Sequence, residues 1–583
     1  MSHMKKALEQ LIYRAVELEY GAEVATAAVF SVSYPPNPEM GDFSTNVGMM
    51  LAKRVGEGPQ IVAQRLADKI FKLQQDFFEG SSAEHPYIAS VGVAGGFLNF
   101  TLSGEYLLQH MHMVVEQGEA YGASDLGAGK KVVVEYFQNN VAKPPHVGHL
   151  RSAVIGDSLK RVFRFLGYDT VSDTHVGDWG VQFGILLHAF KTLGDRAQVE
   201  KDPITELNKL YVAFSAQIET DPELRELGKQ EFVKLEQGDK ENRALWEWFV
   251  SVSLADFERY RLLLGLLPFE YNLGESFFED KMAAVLAELK EKGLVHTGET
   301  GEQYVDLEPE GLGRCILVKS DGGTTYHLRD FATFLYRKNV IGYWKNLYVV
   351  DVRQAHHFKQ LFAVLDKAGY KANSDSAHVD FGFMALPEGA ISTRKGNIIS
   401  LEALMTEGVS RATAIISEKN PALENKDVIA RQVALAAIKY FDLMHNRQSN
   451  IVFTWDKALS FEGNTGPYLQ YTHARIHGIS RKAERLTEIS GVYELNTQER
   501  LVLQKLRAFP EIIEQAAVDY YPNSICNYLF ELAQVFNRFY EQVPVNQETD
   551  AVARYYRLQL CIATAQTLRN GLSLLGIDAP EEM

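Results

Sequence analysis

The chain has 583 residues and a mass of 65.5 kDa, with 46% apolar, 11% aromatic and 23% charged residues, a globular composition that excludes a largely disordered chain and leaves room for roughly three to five domains. Lys and Arg number 59 against 75 Asp and Glu, a net charge of −16, which excludes nucleic-acid binding driven by overall charge but not a structured RNA met by local basic patches. No run approaches the roughly 18 apolar residues of a membrane span, the start Met1-Ser2-His3-Met4-Lys5-Lys6 lacks an apolar signal core, and Cys315, Cys526 and Cys561 fit neither a metal spacing nor complete pairing, so a reducing cytoplasm and no membrane partner are expected.

Residues 1–110 read as a small α+β domain. Helical spacing in Ala7-Leu8-Glu9-Gln10-Leu11-Ile12 leads to the Pro/Asn/Gly cluster from Tyr34 to Asp42, a helix from Asn46 to Ala52, and a glycine turn before Phe97-Leu98-Asn99-Phe100. Residues 111–130, with their glycine-rich end from Tyr121 to Gly129, read as a linker. Residues 131–424 form an α/β domain. Lys131 to Phe137 is the near-continuous apolar run of a strand buried on both faces, followed by a helix from about His149 to Leu166 and a strand from Thr170 to Thr174. Its charged stretch near 200–290 is predicted to be a helical insertion. A hairpin is expected from Arg314–Lys319 and Thr324–Leu328 around Asp321-Gly322-Gly323, and further strands over Leu347–Val352 and Val379–Met384. Residues 425–583 are predicted all-helical, with helices over Asp427–Met444, Pro467–Ala483, Gln498–Ala517 and Ala551–Leu575.

The strongest chemical signal is His146-Val147-Gly148-His149, between a buried strand and a helix. Two imidazoles three apart at a helix start share one face with outward-pointing amides, a setting suited to an anionic triphosphate, and Gly148 lets a flat base or ribose approach the backbone. The plainer reading is that the histidines cap the helix. The second signal is Ile391-Ser392-Thr393-Arg394-Lys395-Gly396-Asn397, a small basic loop able to close over pyrophosphate; alone it reads equally well as a solvated loop. An arginine substrate would need carboxylate acceptors in a fork. Glu135, inside an apolar strand, needs a cationic partner, supplied by a substrate or by the protein itself. Tyr326 and Asp330 share a face if that stretch is helical; otherwise Asp330 caps a helix over Phe331–Arg337 and Tyr326 packs in the core.

These motifs, in this order, resemble the two ATP-binding signatures of class I aminoacyl-tRNA synthetases. Asn140-Val141-Ala142-Lys143-Pro144, Val176-Gly177-Asp178-Trp179-Gly180-Val181-Gln182-Phe183-Gly184 and Ser392 to Asn397 narrow the resemblance to the arginyl-tRNA synthetase family. Gly41-Asp42-Phe43-Ser44-Thr45-Asn46-Val47 is similar to that family's amino-terminal tRNA-binding domain, and the run from Phe461 to Tyr471 to the start of its helical anticodon-binding domain. The resemblance implies a multidomain α/β fold: a Rossmann-like class I catalytic domain with a parallel sheet, a small α+β amino-terminal domain and an all-α carboxy-terminal bundle. It implies ligation of L-arginine to tRNA(Arg) with ATP as substrate, Mg2+ accompanying the nucleotide, no structural metal, a monomer, and arginine activation that depends on tRNA(Arg). It places arginine contacts at Glu135, Asn140, His146, Tyr326, Asp330 and Gln354, ATP contacts at His146, His149, His357 and Lys395, and catalytic roles at Lys143, His146, Gly148, His149, Ser392, Thr393, Arg394 and Lys395. The general second motif is Lys-Met-Ser-Lys-Ser, whereas Ala390-Ile391-Ser392-Thr393-Arg394 has no lysine at either place, and the resemblance implies that Lys143 supplies the missing cation. A nucleotidylyltransferase shares the first motif without the RNA-binding flanks; a noncatalytic tRNA-binding relative would have lost parts of motifs that are intact here.

Overall fold

The structure, a computed structural model, describes residues 4–35, 37, 40–78, 86–387, 400–483 and 491–583. In the amino-terminal part, β1 (Val32–Ser33), β2 (Phe43–Thr45), β3 (Ile88–Ala94) and β4 (Phe97–Leu102) form an antiparallel sheet in the order β1-β2-β4-β3. Helices Met4–Tyr20 and Pro59–Phe77 pack on each other and on the sheet, burying Leu8, Leu11, Ile12 and Val62, Leu66, Ile70 at helical spacing. Asp42 is 3% exposed. It accepts from Leu102 N (2.7 Å), Arg500 Nη2 (2.6 Å) and Gln504 Nε2 (2.7 Å), which ties this sheet to the helix Thr497–Asp519.

The central sheet is parallel. Its strands are β5 (Lys131–Glu135) and β6 (Asp169–Asp173), then, beyond a small antiparallel sheet of β7 (Val295–Thr297), β8 (Gln303–Leu307) and β9 (Gly313–Val318), β10 (Lys345–Tyr348) and β11 (Ser376–His378), in the order β11-β10-β5-β6. The unbroken apolar run of β5 follows from burial on both faces: Val133 joins the core around Phe331 and Leu361, while Val132 and Val134 join the one around Leu150 and Val154. The chain leaves β5 for β6 on one side, and β10 returns on the other. The order therefore reverses at β5/β10, where Glu135 and Tyr348 lie in register at the carboxyl ends, the place where such sheets bind ligands.

The helix Val147–Phe165 joins β5 to β6 and is buried almost all round rather than on one face. Its polar groups are matched inside the protein. Arg151 Nε meets Asp442 Oδ2 at 3.0 Å, Ser158 donates to Leu574 O, and Lys160 Nζ pairs with Glu270 Oε2 at 2.7 Å. Between β6 and β7 lies the expected helical insertion, with Pro203–Thr220, Glu223–Glu236 and Lys240–Leu263.

Two expected strands differ. β9 pairs with β8, and the second hairpin arm reduces to one bridge, Val318↔Thr324. The chain turns helical at Tyr326 because Leu328, Phe331 and Phe334 bury one face of Tyr326–Tyr336. The stretch from Val379 to Met384 is not one strand. It lies between β11 and β12 (Met384–Ala385), and Gly382 sits so close to Ser449 O and Gln448 O that a Cβ would fall within 2.8 Å of both. The carboxy-terminal helices are Lys426–Leu443, Gly466–Lys482, Thr497–Asp519, Asn523–Gln542 and Ala551–Leu574. One two-residue strand interrupts this all-helical region, β13 (Ile451–Val452), parallel to β12.

Candidate active site

The first signature sits where β5 ends and its helix begins. His146 is the N-cap residue: its Nδ1 accepts from Gly148 N at 3.0 Å, and His149 Nδ1 accepts from His146 N at 3.1 Å. The capping reading is therefore correct as geometry, and it has a chemical consequence. Burial lowers the pKa of both rings, with His149 pushed down to about 3 by burial and by the neighbouring His146. Both are neutral, and with Nδ1 accepting, the proton of each lies on Nε2. Capping thus fixes two Nε2–H donors on adjacent rings whose centroids are 4.1 Å apart. Gly148 serves this arrangement directly, since a Cβ there would lie 2.7 Å from His146 Cε1; its visible role is room for the imidazole rather than for a base.

Lys143 follows a strained stretch, with Ala142 at φ 62° and Phe137 at φ 60°. Its Nζ lies 5.0 Å from the Tyr211 ring centroid, and burial lowers its pKa. Among the described residues no carboxylate pairs with it. Ser392, Thr393, Arg394 and Lys395 lie outside the described residues. The chain re-enters at Ser400, which forms an antiparallel bridge with His146, while Leu401 N donates to Pro145 O at 3.2 Å. The end of the second signal is therefore against the first.

The other candidates gather at the carboxyl ends of β5 and β10. Glu135 is 5% exposed. Its Oε2 meets Arg337 Nη1 at 2.5 Å, its Oε1 accepts from Gln138 Nε2 at 3.1 Å, and Arg337 Nη2 also donates to Asp173 Oδ2 at 2.8 Å. The internal partner anticipated as the alternative for Glu135 exists: it is Arg337, not the substrate, that supplies its first countercharge. A carboxylate offers about four acceptor sites, so these two contacts do not exhaust it.

Tyr326 and Asp330 fall on one face of the helix Tyr326–Tyr336. Tyr326 is 69% exposed and so is not core. Asp330 lies in the second turn and is not an N-cap, a position held by Thr325. Its Oδ2 is 2.5 Å from His357 Nε2, and His327 stacks on His357 with centroids 4.2 Å apart. Burial pushes the Asp330 pKa up, but the hydrogen bond and charge of His357 outweigh it and hold the carboxyl below its usual range. His357, expected at the nucleotide, is thus engaged on the Asp330 side. Asn140 is exposed on the β5 loop, bridged to Gly177, and Gln354 is exposed on the turn Val352–Gln354 after β10. Trp179 is core, packed on Trp246 and Phe232.

Sequence reasoning missed Arg337, Asp173 and His327. The demand of Glu135 for a cation was legible; which arginine meets it was not, because Arg337 lies 202 positions along the chain and on a π-helical turn, Arg337–Ile341.

Residues 110–455 match the family model described as tRNA synthetases class I (R), catalytic domain. Residues 2–102 match the arginyl tRNA synthetase N terminal domain, and residues 469–583 the DALR anticodon binding domain. The chain is 40% identical over 581 residues to the arginine–tRNA ligase of Lactococcus lactis subsp. cremoris, covering 99% of this chain and 100% of that one. It is 43% identical over 552 residues to that of Streptococcus pneumoniae, covering 94% and 95%. Among solved structures, the arginyl-tRNA synthetase of Thermus thermophilus aligns over 100% of both chains with a TM-score of 0.82 at 27% identity. That of Plasmodium falciparum does so with 0.81 at 25%.

Proposed function

The chain belongs to the arginyl-tRNA synthetase family, and on that premise we propose that arginine and ATP meet at the carboxyl ends of β5 and β10. The reaction is arginine–tRNA ligation: L-arginine and ATP give arginyl-adenylate and pyrophosphate, and the arginyl group passes to the 3′ end of tRNA(Arg). A carboxylate oxygen of arginine attacks the α-phosphorus, and the bond to pyrophosphate breaks. No covalent enzyme intermediate is required, so the protein acts by positioning and by stabilising charge.

The Nε2–H groups of His146 and His149 donate to phosphate oxygens, and Lys143, with the basic loop Ser392, Thr393, Arg394 and Lys395, neutralises the charge that moves onto pyrophosphate. Gly148 keeps the imidazoles in register. Asp330 and Glu135 receive the substrate guanidinium, with Asn140, Tyr326 and Gln354 around it and His146 between the two substrates. Mg2+ travels with the nucleotide and is held by its phosphates. The three buried, unpaired cysteines suit a cytoplasmic protein, and we take the working form to be a monomer.

The observation that carries this reading is the pair of neutral histidines with both Nδ1 atoms committed to backbone amides beside Ser400. Exchange of labelled pyrophosphate into ATP tests it. Exchange should require arginine and tRNA(Arg) together, and robust exchange with arginine and no RNA would remove the tRNA dependence.

A further inference from the structure

Asp330 faces a crowd of histidines. His357 touches it from the helix Ala355–Lys367, His327 stands three residues before it on its own helix, and His175 acts on it from the turn after β6. The remaining charged neighbours are fixed. Arg329 is paired with Glu275 and Glu279 at 3.0 and 2.7 Å, and Arg337 is held by Glu135 and Asp173. His327 is pushed down to about 4, by burial and then by the charge of His357, so it is neutral through the physiological range. His356, next to His357, is exposed. The carboxylate assigned to the substrate guanidinium is therefore already occupied by the one imidazole in direct contact with it.

We propose that His357 is a specificity-determining residue: protonated, it is the stand-in cation on Asp330 while the site lacks arginine, and arriving arginine displaces it. The exchange balances. A His357 imidazolium paired with the Asp330 carboxylate, plus an arginine cation, becomes neutral His357, arginine paired with Asp330, and one proton released to solvent. The site's net charge does not change, so no carboxylate is left buried and unpaired at either stage. A neutral isostere such as citrulline cannot displace the cation, which adds to discrimination.

This rests on Asp330 contacting arginine, as proposed above. The test is the KM for arginine in aminoacylation at saturating ATP and tRNA(Arg), from pH 6 to 8.5, in the wild type and in His357→Gln, His327→Gln, His175→Asn and Asp330→Asn. Competition by one proton makes the wild-type KM rise toward acid, by up to about tenfold per pH unit. His357→Gln should flatten that limb to within about twofold, while His327→Gln and His175→Asn keep it. A KM for ATP that does not follow the same limb separates this role from a purely structural one. If His357→Gln retains the acid limb, or His327→Gln or His175→Asn abolishes it, the proton sits elsewhere and the inference is overturned. If Asp330→Asn leaves the arginine KM unchanged at pH 8.5, it is the assignment of Asp330 to arginine that fails.

Discussion

At the start of the helix Val147–Phe165, burial strips charge from His146 and His149, and their Nδ1 atoms are spent on backbone amides. Across the ends of β5 and β10, burial works against Glu135 and Asp330 in the same way, yet each keeps a contact to a basic side chain, Arg337 and His357. The phosphate end is thus built from neutral donors with one partly buried lysine beside them, and the arginine end from carboxylates already matched inside the protein. The difference teaches how one cleft handles a polyanion and a cation. Donors fixed by capping lose nothing when phosphate arrives, whereas carboxylates must be kept ionised in advance by partners that share them or give way.

The largest effect expected from breaking this comparison is at Arg337. Arg337→Met leaves Glu135 and Asp173 buried without their shared guanidinium, and should cost about 3–5 kcal/mol of stability in urea unfolding; a loss under about 1 kcal/mol would mean that the carboxylates find another partner. At the phosphate end, Lys143→Ala should lower kcat about 100-fold, about 2.7 kcal/mol, with the arginine KM nearly unchanged. Near-normal turnover would move the role to Arg394 or Lys395.

The acid side separates the two ends again. The folded His149 takes a proton only near pH 3, whereas the unfolded chain takes it near the model value of 6.5. Below pH 6.5 the unfolded state binds more protons, so stability falls with acid, by about 1 kcal/mol from this residue at pH 5.5. His149→Asn should remove that share of the slope in unfolding curves taken at pH 7.5 and 5.5. The smallest effect is expected on the insertion, where Arg196 and Glu200 form an exposed pair at 2.9 Å. Arg196→Ala should change stability by less than about 0.5 kcal/mol and leave aminoacylation as it was.

Much of this was legible in the sequence. The apolar run of β5, the helix behind His146 and the carboxy-terminal helices carry local periodicity, and they form within a few residues of the expected places. Capping chemistry at His146 was legible too, since it depends on residues three apart. What escaped depends on distant partners. The helix Val147–Phe165 reads as one-sided because Arg151 and Lys160 look solvated; their partners Asp442 and Glu270 are supplied by remote segments. Thr324–Leu328 has alternating residues fit for a strand, and the burial of Phe331 and Phe334 decides for helix instead. His357 sits one helix away from Asp330, so only packing could show that it belongs to the arginine end.

The claim that carboxylates at the arginine end select the guanidinium is tested most directly by kcat/KM for arginine and for citrulline in the wild type and in Asp330→Asn. The variant keeps the side chain's size and removes its charge. In the wild type, arginine should lead by at least about 100-fold, since citrulline leaves a buried carboxylate without its substrate countercharge. In Asp330→Asn, arginine use should fall about 100-fold, the lead over citrulline should narrow, and the KM for ATP should stay within about twofold. An unchanged lead, with arginine kinetics intact and only thermal stability lowered, would contradict the account and leave Asp330 a structural partner of His357.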